Sequence, residues 1–170
     1  HAKRRPTPAE LLEIAETIPG VVGLKVLGGD DDWYAAMQPV FSKLSVFIPG
    51  HRLATGLSRG ARGAYSNVAC LSPAGAQRWY ELCLANLPQA LEWEQRILAF
   101  WDRHVASLIS EHKLSNMAVD KAAAAAGGWL PGFTQRLRWP YASATDEQVA
   151  RIRTAYEREW RGIFAGDEGR

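Results

Sequence analysis

The spacing of apolar residues along the chain changes near residue 86. Before it, helical spacings of three and four residues alternate with short apolar runs, whereas residues 87–170 show helical spacings throughout. Short strands that alternate with helices over short connections are typical of a parallel sheet with crossover helices. The sequence therefore predicts an α/β unit over residues 1–86 and an all-helical unit over residues 87–170.

Helix caps and apolar runs place the individual elements. Capping boxes begin helices at Thr7 and Thr145, and proline and glycine mark several ends. In the first part of the chain, we predict a helix at 7–18, a strand at 21–27, a helix at 30–42 with Pro39 near its end, a strand at 45–48, a short helix from 51, a strand with its exit loop at 63–71 and a helix from 72. In the second part, we predict an unbroken helix at 88–112, an alanine-rich helix at 115–126 and a last helix from 145 that includes Ile163.

A lysine interrupts the first apolar run. Residues 21–27 read Val-Val-Gly-Leu-Lys-Val-Leu, which predicts a strand buried on both faces. Burying an unpaired ammonium group is costly, so either Lys25 reaches solvent or its burial has a purpose. Because side chains alternate along a strand, Gly23 and Lys25 share one face, and Gly23 is expected to leave room for a small molecule beside the amine. Active sites of parallel α/β enzymes lie at this end of their strands.

Composition and charge narrow the class of protein. A chain of 170 residues that is 47% hydrophobic can bury one ordinary core. The formal net charge is +2 and the basic residues are mostly scattered, which argues against nucleic acid as a partner. Cys70 and Cys83 lie in apolar sequence without CxxC spacing, and His104 and His112 lack the spacing of a metal pair. We therefore expect reduced thiols and no metal site.

The sequence also favours a cytoplasmic protein. Its apolar runs fall short of the roughly 20 residues that a membrane helix needs, and we find no signal peptide pattern. We expect no membrane as a partner.

Three motifs occur in a meaningful order. Val-Val-Gly-Leu-Lys-Val-Leu-Gly-Gly-Asp fills residues 21–30, Phe-Ile-Pro-Gly-His fills residues 47–51, and Gly-Ala-Arg-Gly-Ala-Tyr-Ser fills residues 60–66, with Pro73 following. Together they resemble the motifs of the dihydrodipicolinate synthase and N-acetylneuraminate lyase family, in the C-terminal half of its members. His51 and Arg52 stand where that family often has an acidic pair, and Cys70 stands where it often has asparagine.

The resemblance implies a fold and a chemistry. Members of this family are (β/α)8 barrels with a helical C-terminal extension, and they form a Schiff base with a 2-keto acid, usually pyruvate. We therefore expect the C-terminal part of such a barrel, with about three parallel strands, followed by the helical extension. Because a complete barrel takes roughly 250 residues, the chain is expected to be part of a longer enzyme. A homo-oligomer, either a dimer or a tetramer, is also expected.

The same resemblance indicates the site. Lys25 is the expected catalytic residue, and Arg52 would suit a second substrate carboxylate. For His51, binding the substrate and capping a loop are equally good interpretations. Either Tyr65 or Ser66 could face the substrate. The candidate substrate-binding residues are Gly23, Gly50, His51, Arg52, Gly63, Tyr65 and Ser66.

The function we predict is that of a lyase of the class I aldolase type. Lys25 would form an imine with pyruvate or a related 2-keto acid, and carbon–carbon bonds would then be made or broken, or water lost, with an aldehyde as a possible second substrate. The covalent imine makes an organic cofactor unnecessary. Two alternatives stay open: a non-catalytic half-barrel that serves as an interaction or scaffold module, and an enzyme in which Lys25 binds a carboxylate as a cation.

Overall fold

A computed structural model describes residues 4–160 of the chain. The strands are β1 Gly23–Lys25, β2 Ser45–Pro49 and β3 Gly63–Tyr65. The helices are α1 Pro8–Thr17, α2 Asp31–Ala36, α3 Gln38–Lys43, α4 Leu53–Ser58, α5 Asn67–Leu71, α6 Pro73–Ala85, α7 Leu87–Trp101, α8 Ser107–Ser110, α9 Asn116–Gly127 and α10 Asp146–Ala155. A 3-10 turn, Gly50–Arg52, joins β2 to α4, and π-helical turns, Asp102–Ala106 and Tyr156–Trp160, follow α7 and α10.

The three strands form one parallel sheet in the order β1, β2, β3. Lys25 is paired with Phe47, and Phe47 is paired with Gly63. Residues that lie side by side in a parallel sheet project from the same face. The predicted α/β class with parallel strands and crossover helices is therefore confirmed.

The two faces of the sheet have different surroundings. Val46 and Ile48 are fully buried on one face, where they pack with side chains of α1, α2 and α3. On the opposite face Phe47, in the middle strand, remains 40% exposed. One face is thus covered by helices, as on the outside of a (β/α)8 barrel, and the face that carries Lys25 is open.

The helices after β3 build a second and larger core. It includes Trp79 of α6, Phe100 of α7 and Ile152 of α10, together with the alanines of α9. These alanines let α9 approach its neighbours closely, and a methyl group on Gly127 would lie 1.9 Å from the carbonyl oxygen of Leu71. This core draws residues from both sides of residue 86, and the division of the chain at that point stays a prediction.

Both capping boxes form as predicted. The side chain of Thr7 accepts a hydrogen bond from the backbone N–H of Glu10 at 3.3 Å, and that of Thr145 accepts one from Gln148 at 3.2 Å. In each box the side chain of the third helical residue bonds back to the cap, so two donors at the helix start are satisfied.

The strand around Lys25 differs from its prediction. β1 has three residues instead of seven, and Val22 is 76% exposed. The expectation of burial on both faces is wrong, because β1 lies at the edge of the described sheet and has β2 alone as its neighbour. Leu24 and Val26 do pack on the helical side, which agrees with the predicted alternation.

Three other boundaries also differ. The helix predicted at 30–42 is broken at Met37, since Pro39 cannot donate a helical hydrogen bond and instead occupies the first turn of α3. The strand predicted with its exit loop at 63–71 ends at Tyr65, and a helix, α5, which Ser66 caps, takes the place of the loop. The helix predicted at 88–112 continues from Leu87 to Ser110 through a π-helical turn. Ile163 lies outside the described residues.

Within residues 4–160, none of the helices is long and apolar enough to cross a membrane.

Candidate active site

The Lys25 side chain ends over an aromatic ring. Its Nζ lies 4.0 Å from the centre of the Tyr65 ring, although the residue as a whole remains exposed. The face of an aromatic ring attracts a cation, by about 0.5–1 kcal/mol at an exposed site. Tyr65 therefore favours a position of the amine above its ring.

A cavity of about 670 Å³ opens beside this amine. The ends of all three strands contribute to it, through Lys25, Pro49 and Tyr65. His51, in the turn after β2, also lines it, and the helical part of the chain contributes Trp101 and Asp120. It therefore lies at the C-terminal edge of a parallel sheet, which is where α/β enzymes carry their active sites.

Tyr65 and Ser66 both line the cavity, although the sequence suggested that one or the other would. The Tyr65 hydroxyl donates to the carbonyl oxygen of Val26 at 3.0 Å, which fixes the ring. The Ser66 hydroxyl accepts a hydrogen bond from the backbone N–H of Ala69 at 3.3 Å and so begins α5. Tyr65 is the last residue of β3 and Ser66 is the N-cap of α5, so both lie where the strand ends and the helix begins.

His51 is held from two sides. Its ring stacks on Trp101, with 5.6 Å between the centroids and 7° between the planes. Nδ1 lies 2.6 Å from Nδ2 of Asn67, and its backbone N–H donates to Oδ1 of the same residue at 3.2 Å. Burial is the main cause that lowers the pKa of His51, which favours the neutral ring.

Two further ionisable groups face the cavity. Desolvation raises the pKa of Asp120, and the charge of Lys25 acts against this rise. The pKa of Cys70 is raised to about 11, mainly by desolvation and to a smaller extent by the negative charge of Asp120. This cysteine is therefore a protonated thiol at neutral pH. Sequence reasoning missed Asp120, Asn67 and Trp101, because they come from helices whose positions relative to Lys25 depend on the tertiary fold.

Four of the predicted substrate-binding residues do not line this cavity. A methyl group on Gly23 would lie 2.9 Å from the carbonyl oxygen of Ser45, so this glycine permits a close approach of the two backbones. A methyl group on Gly50 would lie 2.4 Å from Oγ of Ser66. Arg52 follows His51 in the 3-10 turn and does not belong to the lining of this cavity.

Gly63, the fourth of these residues, belongs to a different cavity. This one has a volume of about 430 Å³ and lies along β3, where Phe47, Arg62 and Ser66 also contribute. A methyl group on Gly63 would lie 3.2 Å from the Phe47 ring, so the glycine accommodates the neighbouring aromatic side chain. Within residues 4–160, no group of three or more metal-binding side chains is found.

Several solved structures share this arrangement of strands and helices. A protein described as belonging to the dihydrodipicolinate synthase family from Coccidioides immitis superposes with a TM-score of 0.70 and 24% identity, over 98% of this chain and 54% of that one. Dihydrodipicolinate synthase from Bacteroides thetaiotaomicron superposes with a TM-score of 0.70 and 18% identity, over 92% of this chain and 52% of that one. N-acetylneuraminate lyase from Fusobacterium nucleatum superposes with a TM-score of 0.66 and 14% identity, over 93% of this chain and 51% of that one.

This chain has part of the dihydrodipicolinate synthase barrel fold. A prophage protein of that family from E. coli K12, solved in complex with pyruvate, matches 89% of this chain with a TM-score of 0.67 and 16% identity. The chain spans about half the length of the structures that it matches, as expected for the C-terminal half of a barrel. No protein-family model matches the sequence, and no curated protein sequence matches it significantly. At these identities the likeness establishes the fold.

Proposed function

We propose that this chain is the lysine-bearing part of a lyase of the class I aldolase type. Lys25 would form an imine with pyruvate or a related 2-keto acid, and the enzyme would then make or break a carbon–carbon bond or eliminate water. The single observation that carries the proposal is the position of the Lys25 amine, 4.0 Å above the Tyr65 ring and on the wall of a 670 Å³ cavity at the C-terminal edge of a parallel sheet.

The chemistry needs an amine that can lose its proton. Neutral Lys25 attacks the keto carbon. The carbonyl oxygen leaves as water with one proton from the amine and one from solvent, and the protonated imine that remains keeps the second proton of the amine. When the bond between the α- and β-carbons of the substrate, counted from the keto carbon, breaks, its electron pair moves into this cation and gives an enamine. The hydroxyl on the β-carbon loses its proton, and that fragment leaves as an aldehyde; bond formation is the reverse of this step. Because the ring of Tyr65 lies against this nitrogen, it stabilises the positive charge of the imine as well as that of the free ammonium group. In this scheme the imine nitrogen is the electron sink, so the proposal includes no organic cofactor and no metal.

The open face of the sheet indicates that additional residues of the protein cover it in the proposed enzyme. Phe47 is 40% exposed in the middle strand, and both edge strands lack a second neighbour within the described sheet. Parallel sheets are normally buried on both faces. In the proposed enzyme, the remaining barrel strands cover this face, exclude water from Lys25 and contribute further groups that bind the substrate. A cytoplasmic location and an oligomeric enzyme stay predictions from the sequence.

Reductive trapping tests the proposal. The full-length protein is incubated with pyruvate and borohydride, and its peptides are analysed by mass spectrometry. We expect a reduced pyruvyl adduct on Lys25 in the wild type and no adduct at this position in Lys25→Arg. Lys43→Arg is the matched control, because Lys43 lies in α3, pairs with Glu16 at 3.4 Å and is remote from the cavity lining.

Each contrary result identifies a different alternative. Absence of any adduct in the wild type would overturn the imine mechanism and favour a binding or scaffold module. An adduct on Lys43 in place of Lys25 would contradict the assigned site. Full activity of Lys25→Arg would show that the lysine binds a carboxylate as a cation, since a guanidinium group cannot form the imine.

A further inference from the structure

The contact between His51 and Asn67 determines where the histidine carries its proton. The backbone N–H of His51 can only donate, so the Asn67 atom that lies 3.2 Å from it is the amide oxygen. The amide nitrogen of Asn67 is therefore the atom that lies 2.6 Å from Nδ1. An amide NH2 group is a donor and has no acceptor capacity.

It follows that Nδ1 accepts this hydrogen bond and has no proton. In a neutral imidazole the proton then resides on Nε2, and a second proton on Nδ1 would oppose the Asn67 donor. Stacking on Trp101 keeps the ring plane fixed to within 7° of the indole plane. Among the described residues, the hydrogen bonds of the His51 ring involve Asn67 alone, which leaves the Nε2–H available to the cavity that His51 lines.

We propose that His51 is locked as the neutral Nε2–H tautomer by Asn67 and that it selects substrates with an oxygen acceptor by donating a hydrogen bond from Nε2. The inference rests on the proposed function, since it concerns the same cavity. The matching group is the hydroxyl or carbonyl oxygen on the part of the substrate beyond the imine. Pyruvate alone lacks that part, so its capture by Lys25 does not depend on His51.

The charges around His51 are consistent with this role. Arg52 follows it in the same turn and disfavours a cationic ring, whereas Asp102 in the facing π-helical turn acts in the opposite direction. Lys25 and Asp120 lie on the same cavity wall and bring one charge of each sign. Burial is the largest influence on the ring, and it lowers the pKa of His51. An Asn67 oxygen facing the ring would act in the opposite direction and raise this pKa, but that oxygen is held by the backbone N–H of His51, so the amide NH2 group faces Nδ1.

Nitrogen NMR tests the lock directly. Histidine labelled with ¹⁵N is incorporated into the full-length protein, and the His51 signals are assigned by their loss in His51→Gln. We expect a protonated Nε2 and an unprotonated Nδ1 in the wild type at neutral pH. In Asn67→Asp the carboxylate accepts instead of donating, so Nδ1 should gain a proton. A proton on Nδ1 of the wild-type ring would overturn the lock.

Trapping tests the contact with substrate. Adduct formation on Lys25 is titrated with pyruvate and, separately, with the aldol product of pyruvate and acetaldehyde, which has a hydroxyl beyond the keto group. For His51→Leu we expect the half-saturating concentration of the aldol product to rise about tenfold relative to that of pyruvate, as for one lost hydrogen bond. His51→Gln keeps a side-chain N–H and should recover part of the loss.

The outcomes separate the two proposals. If His51→Leu weakens both ligands equally or neither of them, the selection by His51 is wrong although the imine stands. If the wild type traps no ligand at all, the proposed function fails, and the contact with substrate fails with it. The NMR result still decides the tautomer in that case.

Discussion

The Tyr65 hydroxyl donates a hydrogen bond to the carbonyl oxygen of Val26, with 3.0 Å between the two oxygens. Tyr65 ends β3 and Val26 follows β1, and these strands are separated by β2. One side chain thus connects the two edges of the described sheet. The same contact holds the phenol ring beneath the amine of Lys25.

The two parts of the Tyr65 side chain can be tested separately. Tyr65→Phe keeps the ring and loses the hydroxyl, so the free energy of unfolding should fall by about 0.5–1.5 kcal/mol with trapping of pyruvate retained. Tyr65→Leu also removes the ring face, and its trapping should be weaker. Urea unfolding and the borohydride assay measure both effects. Tyr141→Phe, at an exposed tyrosine, is the control, and equal trapping by the Phe and Leu variants would contradict the role of the ring.

Gly23 is required by the backbone of its neighbouring strand. A methyl group there meets the Ser45 carbonyl oxygen at 2.9 Å, so Gly23→Ala should lower the free energy of unfolding by about 1–3 kcal/mol through overpacking. Gly20→Ala is the matched control, because no atom lies within 4 Å of the added group. Chemical denaturation measures the difference. Weaker pyruvate capture at unchanged stability would instead support a ligand next to Gly23.

Glu94 of α7 caps a helix from which it is distant in sequence. Its carboxylate accepts from the backbone N–H of Thr55 at 3.1 Å and from the hydroxyl of the same residue, and Arg52 gives α4 no side-chain cap of its own. Glu94→Ala should therefore lower the free energy of unfolding by about 2–4 kcal/mol, because buried donors at the start of α4 lose their acceptor. Glu92→Ala, at an exposed position of the same helix, should change stability by less than about 0.5 kcal/mol.

The charge of Glu94 also predicts a dependence on pH. Burial raises the pKa of this carboxyl above its ordinary 4.5, and the hydrogen bonds from Thr55 oppose the rise. A raised folded pKa means that the folded protein holds this proton more tightly, so the stabilisation is present below pH 4.5 and is lost as the pH rises through the folded value. Unfolding of the wild type and of Glu94→Gln is compared from this pH upward. A constant difference between them would contradict the prediction.

Trp79 supports the turn that carries His51. It is fully buried, and its Nε1–H donates to the Gly50 carbonyl oxygen at 2.9 Å. Trp79→Phe should lower the free energy of unfolding by about 2–4 kcal/mol, because the smaller ring fills less of the core and a buried hydrogen bond is lost. Trp139→Phe, at a site that is 92% exposed, should stay within about 0.5 kcal/mol. Thermal unfolding measures both, and similar changes in the two variants would contradict the assigned role.

Local sequence predicted those features that depend on neighbouring residues. The capping boxes at Thr7 and Thr145 formed because their partners lie three residues away, and the alternation around Lys25 held because it is a property of an extended backbone. The length and burial of β1 could not be predicted in this way. They depend on how many strands lie beside it, which is a property of the sheet.

The sequence by itself determined the presence of the lysine-bearing strand, the order of the three strands and the parallel α/β class, because periodicity and caps act over a few residues. Tertiary structure alone decided which side chains meet Lys25. Tyr65 lies beneath the amine because the sheet places β3 two strands from β1, within reach of the tyrosine side chain. Asn67, Trp101 and Asp120 reach the cavity because their helices pack over its edge. Contacts between residues so far apart in sequence are fixed by packing in three dimensions, which local patterns do not record.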